Sequence, residues 1–78
     1  MDLQAIETQE LGALARAAMT VLAERVDQPA FQELLAISAQ VGECLGESAR
    51  RIAAAGSWSA VADLSGTSKQ AAWQRWHG

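Results

Sequence analysis

The chain has 78 residues, a single cysteine, a single histidine and a formal net charge of −3. One Cys excludes an internal disulfide, and one Cys with one His excludes a zinc-type ligand set. A chain this short builds only a marginal core, so oligomerisation is the remaining way to complete it. Half of the residues are hydrophobic, only 5% are aromatic, Tyr is absent and Pro occurs once, a composition that favours helix throughout.

The charge is unevenly distributed. Residues 1–48 carry Asp2, Glu7, Glu10, Glu24, Asp27, Glu33, Glu43 and Glu47 against Arg16 and Arg25, a balance of −6. Residues 49–78 carry Arg50, Arg51, Lys69 and Arg75 against Asp63, a balance of +3. Such asymmetry hints at an acidic scaffold joined to a basic contact surface. No basic start with an apolar run and small-residue cleavage site is visible, and no apolar stretch is long enough for a bilayer, so a cytoplasmic protein without membrane contact is expected.

In chain order, Leu3, Ile6, Leu11, Leu14, Ala18, Val21, Leu22 and Val26 recur at steps near three and four, which predicts one amphipathic helix from Leu3 to Val26. The helix either tolerates Gly12 or begins near it. Asp27-Gln28-Pro29 breaks it, because Pro disfavours helix at the residue before it and suits a first helical turn; Asp27 is the better of two candidate caps. A second helix is predicted over residues 29–55, with apolar stripes through Phe31, Leu35 and Leu45 and through Leu34, Val41 and Cys44. One stripe serves the first helix and the other needs a further partner, either the C-terminal unit or a second chain. Gly42 and Gly46 either permit close approach or divide this segment. Cys44, on an apolar stripe, reads as a structural thiol.

Gly56-Ser57 ends the long helix, and Ser57 caps a short one from Trp58 to about Ser65. Gly66 supplies the positive φ of a tight turn. Thr67 and Gln70, three apart, have the form of a capping box opening a last helix to about His77. Two short helices about a Gly-containing turn are a helix-turn-helix, whose second helix enters the major groove. Ala62 is small enough for the helix contact, Val61, Ala72 and Trp76 can hold the second helix, and Lys69, Gln70 and Gln74 can project outward, Gln toward adenine and Lys toward guanine or phosphate. Trp58 and Trp76 read as core, with Trp73 offset toward the exposed side. His77 is expected in solvent or at a phosphate, and Arg50 and Arg51 either complement a helix dipole or clamp phosphate.

The run Ser57-Trp58-Ser59-Ala60-Val61-Ala62, then Gly66-Thr67-Ser68-Lys69-Gln70-Ala71-Ala72-Trp73-Gln74-Arg75-Trp76, resembles the helix-turn-helix of small bacterial regulators, actinobacterial ones especially. The resemblance implies that Ser68, Lys69, Gln70, Trp73 and Gln74 face DNA. Ser65 and Thr67 depart from it, standing where the pattern prefers apolar residues buried between the helices, and Ala60 replaces an acidic cap partner. Residues 1–55 resemble no family.

The expectation is an all-α single domain, an N-terminal helical hairpin (residues 1–55) that dimerises, followed by a C-terminal helix-turn-helix (residues 56–78). It would be a homodimeric, sequence-specific regulator on double-stranded DNA. The alternative is a helical protein-interaction module with a degenerate helix-turn-helix, its acidic N-terminal half being one surface for a protein partner. No Ser/His/Asp arrangement, catalytic carboxylate pair, phosphate loop or metal spacing is visible, so neither enzymatic activity nor a cofactor is expected.

Overall fold

The computed structural model describes residues 1–78 and is all-α, with four helices and no strand. They are α1 (Thr8–Glu24), α2 (Gln28–Ala55), α3 (Trp58–Ser65) and α4 (Lys69–Trp76), preceded by a 3-10 turn at Leu3–Ala5. No helix is long and apolar enough to cross a membrane.

The helix expected from Leu3 to Val26 is shorter at both ends. Ile6 and Glu7 are extended, and the Glu7 carboxylate accepts from the backbone N–H groups of Gln9 at 3.0 Å and Glu10 at 3.2 Å. That carboxylate satisfies donors that the first turn would otherwise leave unpaired, and it sits where the helix dipole favours negative charge. Gly12 is tolerated inside α1, which ends at Glu24. The next break falls where Pro29 places it. Asp27 Oδ1 accepts from the Ala30 N–H at 2.8 Å, so Asp27 is the cap, and Pro29 occupies the first turn, where an absent N–H leaves no hydrogen bond unmade.

Helix α2 runs unbroken through Gly42 and Gly46 for 28 residues, so these glycines do not divide it. Gly46 is buried beneath the Arg50 side chain; a Cβ there would come within 3.0 Å of the guanidinium.

The chain divides within α2 into two compact units, Met1–Ile37 and Ser38–Gly78. In the first, Ala30 is the buried hydrophobic residue, with Ile6, Met19, Leu22, Leu34 and Ile37 half-buried. Leu11, Leu14, Val21, Phe31 and Leu35 are exposed. In the second, Ala49 of α2, Val61 and Ala62 of α3 and Ala72 of α4 form the core, flanked by Ala53, Trp58 and Trp76. Three of those four core residues are alanine. Small side chains let helix backbones approach closely, and the two half-buried tryptophans cover what the alanines leave open.

The α3–α4 connection follows from two residues. Gly66 adopts the left-handed conformation at φ 70°, and its N–H donates to the Ala62 carbonyl. The Thr67 N–H donates to the same carbonyl at 3.0 Å, so the terminus of α3 is closed by the backbone itself. Ser68 then caps α4, its hydroxyl accepting from the Ala71 N–H at 3.1 Å. The capping box expected from Thr67 and Gln70 is therefore not formed: the cap moves to Ser68, and Ala71, three residues on, has no side chain to return a bond. The Thr67 hydroxyl is engaged elsewhere, 3.0 Å from Ser65 Oγ and 3.3 Å from the Ser68 carbonyl.

Candidate functional site

Helix α4 has two unlike sides. Ala72, only 1% exposed, and half-buried Trp76 seat it on the core. Lys69, Gln70, Trp73 and Gln74 are all exposed, as is the capping residue Ser68. Positions 70, 73, 74 and 77 are neighbours on a helix surface by their three- and four-residue spacings, so the structure brings Gln70, Trp73 and Gln74 onto one outward side. Lys69 stands at its first turn. The sequence reading of which residues of α4 pack and which project agrees with these positions.

A neighbour that sequence reasoning missed completes this side. The His77 ring stacks on Trp73, with centroids 3.9 Å apart and planes at 7°, and His77 Nδ1 lies 2.6 Å from the Trp73 carbonyl. His77 is exposed, as expected, and at the same time held against a tryptophan. The signal was the i, i+4 spacing of two rings. Trp73 stays 47% exposed, so the stack is an aromatic plate at the helix surface. Arg75 lies over the Trp76 ring, 5.1 Å from its centroid, a cation–π contact that draws its charge toward the seated side.

Arg50 and Arg51 do not join the polar side of α4. Arg50 Nη1 donates to the Trp76 carbonyl at 3.1 Å, which places its positive charge at the C-terminus of α4, the end that attracts a cation. It complements the dipole of α4, not that of its own helix. Lys69 stands about 10 Å away along the axis of α4, at 1.5 Å per residue. Arg51 forms an exposed ion pair with Glu47 at 2.7 Å, one turn away on the same helix. Neither arginine lacks a partner, and neither lies beside Lys69.

Ser65 and Thr67, the two departures from the resembled pattern, are exposed at the turn; Ser65 Oγ donates to the Val61 carbonyl at 2.8 Å and meets the Thr67 hydroxyl. The hydroxyls replace apolar contact by hydrogen bonds around the turn. Cys44, expected to be structural, is a free, exposed thiol, because its neighbours on the stripe, Val41 and Ser48, are not covered within the chain. No group of three His, Cys, Asp or Glu side chains is placed to hold a metal ion.

An apolar groove lies in the second unit, with a volume of about 270 Å³, between Leu45 and Ile52 of α2, Val61 and Leu64 of α3, and Trp76. No protein-family model matches this chain, and neither a curated protein nor a solved structure is significantly similar to it.

Proposed function

We propose that the chain is a sequence-specific DNA-binding regulator that acts as a homodimer, with α3, the Gly66 turn and α4 forming a helix-turn-helix. In this reading α4 enters the major groove, Lys69 and Gln70 meet bases or phosphates from its first turn, and Gln74 and Trp73 follow along the groove. The observation that supports it best is the division of α4: Ala72 and Trp76 are seated on the core while Ser68, Lys69, Gln70, Trp73 and Gln74 stay exposed on a short, firmly capped helix. The left-handed Gly66 between two short helices supports the same reading. Arg50 and Arg51 take lesser parts, Arg50 fixing the far end of α4 and Arg51 being paired with Glu47.

A second reading, a helical module that binds another protein through its unpartnered apolar side chains, is favoured by Phe31, Leu35, Val41 and Leu64, which are 65%, 56%, 46% and 77% exposed. Selection of duplexes from a random pool separates the two. The DNA-binding reading expects an enriched site whose affinity falls steeply with salt, as counterions are displaced from phosphates. Gln70→Ala should then lose about 1–3 kcal/mol at one base position and relax specificity there. Lys69→Ala should weaken all duplexes alike and flatten the salt dependence if it holds phosphate. Absence of any enriched duplex and of salt-sensitive binding would favour the protein-binding module.

A further inference from the structure

We infer that the groove between α2 and α3 is the contact surface for a second copy of this chain, with the two α2 helices antiparallel across residues 41–52. The inference rests on the homodimer of the proposed function but not on its DNA contacts.

Val41, Leu45, Ser48 and Ile52 follow one another at steps of four, three and four, the spacing of a helix–helix seam. At 3.6 residues per turn they fall within about 60° of one another. Val41, Leu45 and Ile52 are 46%, 49% and 37% exposed, and Leu64 of α3, 77% exposed, forms the outer lip. Apolar side chains of that size, left open on one side of a two-helix surface, amount to on the order of 400 Å², the size of the largest apolar patch on a single chain, which is often functional. Exposed Ser38, Ser48 and Ser65 stand beside them, and the surface they add brings the contact to on the order of 600 Å² per partner, the low end of the range of specific interfaces.

The occupant is read from the order of the side chains. Two copies laid antiparallel about the midpoint between Leu45 and Ser48 place Leu45 of one against Ser48 of the other, and Val41 of one against Ile52 of the other. Large meets small in the central layers and medium meets medium outside them. A two-fold interface must be complementary to itself in this way. The seam carries no charged residue, while Glu43, Glu47 and Arg50 project from the other side of α2. Two acidic chains can therefore meet here without bringing like charges together.

Sedimentation and crosslinking test the inference on the full chain. At micromolar concentration the wild type is expected to sediment as a dimer, and Leu45→Glu to raise the dimer dissociation constant at least about 100-fold, by burying an unpaired carboxylate. Leu45 is half exposed in the single chain, so this variant should keep its helical circular dichroism. For the register, Val41→Cys and Ile52→Cys chains, each also carrying Cys44→Ser, are mixed with a short bis-maleimide. Only the mixed 41–52 link should form, because antiparallel helices hold the two copies of residue 41 about 16 Å apart along the axis. Links of 41 to 41, or a Leu45→Glu protein that remains a dimer, would overturn the assignment. So would a monomeric wild type, which would leave the groove to an amphipathic helix of another protein. A dimer with this register that enriches no duplex would uphold the interface and remove the DNA-binding reading.

Discussion

Residues 38–78 and residues 1–37 are both built from alanine-rich helices, and the N-terminal stretch has six leucines against two in the C-terminal one, yet it is the C-terminal stretch that buries more. The C-terminal unit closes four buried side chains between three helices. The N-terminal unit buries Ala30 and leaves Leu11, Leu14, Val21, Phe31 and Leu35 open. Hydrophobic content is therefore a poor guide to where a core forms. What distinguishes the C-terminal unit is small residues at helix contacts and a turn whose backbone geometry is fixed by one glycine. The N-terminal unit has good caps, at Glu7 and Asp27, but caps define where helices start and not what they pack on.

The largest effect that bears on this comparison comes from one charge placed in each unit. Ala62→Asp puts a carboxylate at a site 4% exposed, without a partner, and should cost more than about 3 kcal/mol, enough to abolish cooperative unfolding of residues 38–78 in thermal melts. Leu14→Asp, at a site 41% exposed, should cost less than about 1 kcal/mol in the monomer. Equal losses would erase the distinction between the units. A smaller effect is expected at the turn. Gly66→Val forces a β-branched residue to φ 70° and should destabilise the C-terminal unit by about 1–2 kcal/mol, with Gly66→Asn recovering much of it, read as shifts in melting temperature. The smallest effect is local to the N-terminal unit. Asp27→Ala removes the 2.8 Å cap of α2 and should cost about 1 kcal/mol, with faster amide exchange at Ala30 and Phe31. Protection there as strong as in the wild type would mean that packing, not the cap, holds that end.

Where a single residue dictates backbone geometry, the fold was legible before any coordinates. Pro29 with Asp27, Ser57 before Trp58, and Gly66 each set a boundary that the structure keeps. Boundaries resting on apolar spacing were not legible. Leu3 and Ile6 continue the pattern of α1, yet the chain is extended at Ile6, because the Glu7 carboxylate caps a helix that opens only at Thr8. The choice between Thr67 and Ser68 as cap depended on a tertiary fact. Once Thr67 donates its N–H to Ala62 and its hydroxyl pairs with Ser65, only Ser68 is free to turn into α4. On the candidate site, the exposed row of α4 followed from helical periodicity, whereas the place of Arg50 did not. Its partner is the Trp76 carbonyl, 26 residues away, and no local pattern encodes that pairing.

The alanine core has a consequence for how such a unit can change over time. At Ala49, Ala62 and Ala72 a larger side chain would push helices apart, while a glycine would loosen each helix by about 1 kcal/mol. Those positions are nearly frozen, and the exposed rows around them are free to drift. Two descendants of one ancestor would retain little in common beyond three alanines and a glycine, too few letters to distinguish one helical chain from another. Their kinship would survive in the crossing of the helices long after it had faded from the alphabet.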